Sequence, residues 1–311
     1  SDWLAYRQLK RAFASFRPDI VHTHSGKAGF IGRLAAKRAG VPKIIHSIHG
    51  PSFGPFQGWA TNALFRGAER FAGRMTDHFV TVADAMRDQY LAAGISQAND
   101  YTRIPSGFDL QPFLDAENSP TKRASLGLSP GDFVVGKIAR LFELKGHDDL
   151  FAIAPRLAKR IPNIRFLLVG DGVWRGRFER LAKEIGCDQN FIFTGLVPPS
   201  EIPSLVGVMD ALVHLSRREG LPRALPQAMA AAKPVVAFDC DGAGEVCLDG
   251  KTGHLIEPGD LPKLEERLAK LANDAPLRTA LGQAGRKLVE EEFTVEQLVE
   301  RQYELYKRLL A

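Results

Sequence analysis

Short β-branched and aliphatic runs alternate with longer stretches of helical period along almost the whole chain. In the first part DIVHTH (19–24), KIIHSIH (43–49), HFVTVA (78–83) and TRIPSG (102–107) read as strands. The segments between them, such as KAGFIGRLAAKRAG, repeat apolar positions at helical spacing. A polar stretch, DAENSPTKRASLGLSPGD, interrupts the pattern, which then restarts. FVVGKIA (133–139), IRFLLVG (164–170), FIFTG (191–195), ALVHLS (211–216), PVVAF (234–238) and GHLIE (253–257) supply six further strands. Strands alternating with helices build βαβ units and parallel sheets, with ligands beyond the carboxyl ends of the strands. The expectation is an α/β chain of two Rossmann-like, doubly wound domains, 1–117 and 118–294, followed by a last helix over 295–311. Thr294 and Gln297 have capping-box spacing at its start, and Val295, Leu298, Val299, Tyr306, Leu309 and Leu310 form one apolar stripe.

The two halves are unequal. The second has six strands, whereas the first has four and opens on a helix. A Rossmann-like domain ordinarily opens on a strand and a glycine-rich turn. The expectation is therefore a first domain lacking its first two βα units.

Composition narrows the class. The 311 residues are 45% apolar and 25% charged, as in a globular protein, and no apolar run is long enough for a membrane span. Three cysteines, Cys187, Cys240 and Cys247, make neither a disulfide framework nor a C-x-x-C zinc site, which points to a reducing, cytoplasmic setting. The net charge of +5 is uneven: residues 1–43 hold nine Lys or Arg against Asp2 and Asp19. A segment at +7 suits solvated helix faces, or docking on an anionic membrane surface or a phosphorylated substrate. The loop HGPSFGPFQGW adds Phe53, Phe56 and Trp59 beside an amphipathic stretch, which would place the protein peripherally on the inner face of a membrane. No base-stacking or groove-reading motif accompanies the charge, so nucleic acid is not an expected partner.

Candidate chemistry gathers at strand ends. In GKIARLFELKG, Arg140 and Lys145 follow a strand closely, a fork and a point charge suited to a diphosphate. LLVGDG takes another strand into a Gly-Asp-Gly turn that contains Gly170, which permits close approach by a ligand or simply permits the turn. REGLPRALPQAMAAAKP places Glu219 ahead of a helix expected from Pro222 to Met229, whose first amides suit an anion. Glu219 could accept hydrogen bonds from sugar hydroxyls or only complement the helix dipole, and Gln227 lies within reach of a ribose at the same mouth. His22, His24, His46 and His49 fall on strand faces without an acidic cluster, so no metal site is expected there.

Three segments together carry a family resemblance. REGLPRALPQAMAAAKPVVAFDCDGAGEVCLDGKTGHLIEPGD resembles the donor-site signature of retaining GT-B glycosyltransferases of family 4. VGKIARLFELKG is similar to the family's phosphate-binding loop, and IPSGFDLQPF to its Pro-Asn-Gly-hydrophobic-Asp turn, with Ser106 in place of Asn. The resemblance implies two Rossmann-like domains closing over a nucleotide sugar, with the last helix crossing back to the first. It implies that Arg140 and Lys145, beside Gly136 and Gly170, hold the donor diphosphate without a metal or other cofactor. Glu219 would meet the donor sugar, with the amides of Gly220 and Leu221 near the distal phosphate. Leu225 would pack on the ribose and position 227, glutamine here where the family has glutamate, would bind its hydroxyls. Gly244 and Glu245 would border the sugar, and His49 would line the reaction centre. The implied activity is metal-independent, retaining transfer from a UDP- or GDP-type sugar to a glycan, lipid-linked or small-molecule acceptor. Nucleotide-sugar 2-epimerases of the same architecture are the alternative, with non-catalytic nucleotide-sugar binders. An epimerase needs acid/base carboxylates in the first domain, and HGPSFGPFQ has none.

Overall fold

A computed structural model describes residues 1–311. The chain forms two compact units. The first comprises Ser1–Gly107, Glu219–Leu221 and Val295–Ala311, and the second Phe108–Arg218 and Pro222–Thr294.

The first unit holds helices α1 (Asp2–Phe16), α2 (Gly26–Ala39), α3 (Trp59–Gly73) and α4 (Asp84–Ala92). Strands β1 (Ile20–His24), β2 (Lys43–Ile48), β3 (His78–Thr81) and β4 (Tyr101–Arg103) form one parallel sheet in that order. Alternation along a strand sends neighbours to opposite faces, and both faces of this sheet are used. Val21 and Ile44 pack with Ala36 of α2 on one side. Ile45, Val80 and Ile104 pack with Leu305 of the helix Val295–Leu310 on the other. The expected strand over 102–107 ends early. Ile104 still donates to the Thr81 carbonyl at 2.8 Å, but Pro105 has no N–H to continue the ladder.

The second unit begins with the short helices α5 (Gln111–Leu114) and α6 (Pro120–Ser125). Its strands are β5 (Phe133–Ile138), β6 (Ile164–Val169), β7 (Phe191–Gly195), β8 (Ala211–His214), β9 (Val235–Phe238) and β10 (Gly253–Ile256). The intervening helices are α7 (His147–Arg160), α8 (Arg175–Glu184), α9 (Ile202–Gly207) and α10 (Ala224–Ala230). Helices α11 (Leu261–Asn273) and α12 (Ala275–Glu292) follow, each started by an aspartate that accepts a backbone N–H, Asp260 from Lys263 and Asp274 from Leu277. The sheet is all parallel in the order β10-β9-β8-β5-β6-β7. The chain thus winds outward from β5 in one direction and from β8 in the other, the doubly wound dinucleotide-type order. Its core includes Phe151 stacked on Phe191 at 4.1 Å and on Phe178 at 5.1 Å. Helix α10 starts at Ala224, not at Pro222: Leu225 donates to the Pro222 carbonyl in a tighter three-residue turn before Gln227 closes a turn on Arg223.

Candidate active site

In a doubly wound sheet the crevice opens where the winding reverses, here between the carboxyl ends of β5 and β8. The loop leaving β5 carries both expected cations. Arg140 is exposed, with its guanidinium carbon 5.7 Å from the centre of the Phe142 ring, and Lys145 is half-buried. Backbone hydrogen bonds tie this loop to the one after β6: Ala139 donates to Val169 at 3.1 Å, Leu141 to Asp171 at 3.0 Å, and Trp174 to Leu141 at 3.1 Å. Gly170 sits in this seam, where a Cβ would fall 2.3 Å from the Ala139 carbonyl oxygen. Gly136 lies inside β5, and a Cβ there would meet the Met209 sulfur at 1.9 Å. Both glycines therefore answer to packing of the loop and strand in this structure.

The turn into α7 is held from β8. Leu144 and Gly146 both adopt left-handed backbone (φ 65 and 66) on either side of Lys145. A Cβ on Gly146 would stand 1.9 Å from the Leu215 carbonyl oxygen, so only glycine lets the two segments meet. Arg217 donates its N–H to the Leu144 carbonyl at 2.8 Å, and its guanidinium grips Asp149 with both nitrogens, Nη2 to Oδ1 at 2.9 Å. This clamp joins residues 68 apart, and no local pattern in the sequence announces it. His147, the first residue of α7, is buried against Phe178 with no hydrogen-bond partner at Nδ1. Burial, then Lys137 and Lys145, push its pKa down to about 2, so it stays neutral beside the cations.

The remaining donor-side residues of this unit divide by exposure. Gln227 on α10 is partly exposed, whereas Leu225 is fully buried and its side chain serves the core. Gly244 and Glu245 close the 3-10 turn Asp241–Glu245 after β9, at the same carboxyl edge of the sheet, and both are partly exposed.

In the first unit the expected residues Glu219, Gly220 and Leu221 accompany His49. A Cβ on Gly220 would lie 1.9 Å from the His49 carbonyl oxygen, so this segment rests directly on the end of β2. Glu219 is partly exposed and Leu221 buried. His49 does not stand alone, which the sequence reading missed. Its Nε2 shares a 2.9 Å hydrogen bond with Nδ1 of His24, and the rings are near parallel. Behind them His22 is held at both nitrogens, by Tyr306 Oη at 2.6 Å and Ser47 Oγ at 2.7 Å. The i, i+2 spacing of His22 and His24 was the available signal, since it puts both on one strand face. His46 points to the opposite face, where Thr23 Oγ1 lies 2.9 Å from its Nδ1. Burial lowers the pKa of all four; repulsion by His24 and His49 adds to it at His22, taken to about 4, repulsion by Arg33 and then the other three histidines at His46, and repulsion by His24 at His49.

The candidate docking surface is smaller than the sequence suggested. Phe53 is buried against Tyr90, and Arg33 is buried in an ion pair with Glu69 at 2.8 Å. Trp59, Leu64, Phe65 and Phe71 of α3 are exposed, as are Trp3, Leu4 and Phe16 of α1. No helix is long and apolar enough to cross a membrane.

Comparison with known proteins agrees with this architecture. The profile described as "Glycosyl transferases group 1" matches residues 118–288, and that described as "Glycosyltransferase Family 4" matches residues 1–112. The putative glycosyltransferase EpsD of Bacillus subtilis is 30% identical over 307 residues, 95% of this chain and 79% of that protein. A GDP-mannose-dependent alpha-(1-6)-phosphatidylinositol monomannoside mannosyltransferase of Mycolicibacterium smegmatis is 31% identical over 262 residues, 81% of this chain and 66% of that protein. Among solved structures, Anabaena Alr3699/HepE in complex with UDP and glucose superposes with a TM-score of 0.86 at 24% identity, covering 97% of this chain and 81% of that one. That likeness establishes the GT-B fold.

Proposed function

The chain belongs to the glycosyl transferases group 1 family and is a glycosyltransferase, and on that premise we propose that it moves a sugar from a nucleotide-diphosphate donor to a glycan or lipid-linked acceptor, with retention and without a metal ion. The observation that carries the donor class is the cationic loop at the β5/β8 switch point: Arg140 and Lys145, on a backbone pinned by the Arg217–Asp149 clamp. A departing nucleoside diphosphate gains negative charge as the glycosidic bond breaks. Fixed cations stabilise that charge at the moment it develops, the work a divalent ion does elsewhere. In the retaining route the acceptor oxygen attacks the anomeric carbon on the face the diphosphate leaves. The glycosidic bonding pair goes to the diphosphate oxygen, and the acceptor hydroxyl proton follows it to the phosphate. His49 and Glu219 are assigned to the sugar side of this reaction. The nucleotides named for relatives, GDP-mannose in the mannosyltransferase and UDP-glucose in a complex of the solved neighbour HepE, support a UDP- or GDP-type donor.

A peripheral membrane position follows the same reading. A lipid-linked acceptor brings the enzyme to a bilayer, and the exposed aromatics of α1 and α3 lie in or near the basic first 43 residues.

The deciding experiment measures UDP or GDP release from a panel of nucleotide sugars, with and without glycan and polyprenyl-diphosphate acceptors, in EDTA and in Mg²⁺. Acceptor-dependent release that survives EDTA, with an α-linked product from an α-linked donor by NMR, is expected. Metal-dependent release or an inverted product refutes the proposal.

A further inference from the structure

We infer that His24 is a positioning residue for His49: the hydrogen bond between the two imidazoles decides which nitrogen of His49 donates and which accepts. The inference rests on the reading above that His49 lines the reaction centre. A neutral imidazole carries one N–H, so across the 2.9 Å between His24 Nδ1 and His49 Nε2 one ring must donate and the other accept. If His24 donates, the proton of His49 sits on Nδ1; if His24 accepts, Nδ1 of His49 carries a lone pair. The two tautomers are therefore locked together. The bond to His24 is also the one side-chain hydrogen bond that His49 makes.

The geometry gives His24 little freedom to choose otherwise. Its ring lies between His22 at 4.5 Å and His49 at 5.2 Å, with 22° between planes in both pairs. His22 is itself immobilised by Tyr306 of the last helix and Ser47 of β2. Three imidazoles thus stand in a row from the buried face of the sheet to its exposed carboxyl edge, and His49 is the outermost. Its backbone is fixed separately, by the close approach of Gly220 to its carbonyl. A residue with a free backbone and one ring partner could rotate, whereas here rotation breaks the bond to His24 and the stack together.

Charge reinforces the arrangement. The titratable groups around His49 are His24 and His22 of β1, His46 of β2, and Glu219 in the segment lying on its carbonyl. Burial and then His24 hold the His49 pKa below its ordinary value. Removing His24 takes away its repulsion and exposes the His49 ring further, so His49 would protonate at a higher pH and the acid limb of turnover would move upward.

The test compares His24→Ala, His24→Asn and His49→Ala in the intact protein, by donor kinetics and by ¹⁵N NMR of the histidine side chains. Loss of a partner that orients a histidine should cost on the order of 10- to 100-fold in activity, the size seen for the partners of metal-bound imidazoles. His24→Ala should lower kcat by that amount with KM for the donor unchanged, raise the acid limb, and turn the His49 nitrogen signals from one tautomer to an average of two. Asparagine places a hydrogen-bonding amide near the former Nδ1, one that pairs with either tautomer of His49, so His24→Asn should restore the ring's orientation and most of kcat. His49→Ala inactive beside His24→Ala at wild-type kcat overturns the inference and leaves the reading of His49 intact. His49→Ala at wild-type kcat overturns that reading and the inference with it. Equal losses in His24→Ala and His24→Asn with an unaltered His49 spectrum reduce His24 to packing, which also overturns it.

Discussion

Gly146→Ala should damage donor chemistry more than its one added methyl suggests. Two costs combine at this position. The backbone is left-handed at φ 66, which costs an L-residue roughly 1–2 kcal/mol. The new Cβ would also stand 1.9 Å from the Leu215 carbonyl oxygen and 2.6 Å from the Leu215 Cβ. Ordinary contact begins near 3.4 Å, so the turn into α7 has to retreat from β8 by about 1.5 Å. Overpacking of this kind costs about 1–3 kcal/mol, for a total near 2–5 kcal/mol. Lys145 is the preceding residue and moves with the turn; a displacement of about 1 Å at a positioned group can cost on the order of 10²-fold in rate. Gly127→Ala and Gly186→Ala separate the two costs, since both sites have φ near 70 (70 and 68) with nothing within 4 Å of an added Cβ. The controls should lose about 1 kcal/mol in urea unfolding and keep wild-type turnover. Gly146→Ala should lose about two to five times as much stability and at least ten-fold in kcat/KM for the donor. If it matches the controls in both measurements, the close approach to Leu215 does not position the phosphate loop.

Other outcomes test neighbouring parts of the site. Arg140→Ala and Lys145→Ala should each lower turnover by roughly 10²–10³, about 3–4 kcal/mol of lost leaving-group stabilisation; loss of wild-type activity in EDTA would refute the metal-free assignment. Gln227→Glu should stay within about ten-fold of wild type, because a carboxylate strengthens the ribose contact by roughly 1 kcal/mol while adding charge near the diphosphate. Gln227→Ala should cost more, and donor titrations of both variants decide it. His147 is held neutral, so below pH 6.5 the unfolded chain takes a proton that the folded one refuses and stability falls as pH drops. His147's share of that loss should be about 2 kcal/mol between pH 6.5 and 5, so His147→Leu should lessen the pH dependence by that amount in urea melts at the two pH values. The remainder comes from other histidines held low, His22 and His46 among them. Flotation should show binding to anionic vesicles that weakens with salt and with Trp59→Ser, and none to zwitterionic ones; equal binding to both removes the docking surface.

Much of this molecule was legible along the chain because its signals are local. All ten strands and the alternation with helices follow from apolar periodicity, and the parallel sheets follow from that alternation. The loop with Arg140 and Lys145 was legible because both cations lie within a few residues of one strand end. Errors at the edges also had local causes: Pro105 ends β4 early, and a tight turn at Pro222 delays α10 to Ala224. What stayed hidden depends on residues distant in sequence. The grip of Arg217 on Asp149 and the approach of Gly146 to Leu215 exist only once β5 and β8 lie side by side. Phe53 and Arg33 look like surface residues in a basic, aromatic segment, and packing buries them against Tyr90 and Glu69. The row of His22, His24 and His49 needs β1 paired with β2 and Tyr306 brought from the far end of the chain. A sequence pattern records which face a residue takes, because that depends on its neighbours; which partner waits on that face is decided by the register of strands and the packing of helices between segments that share no local signal.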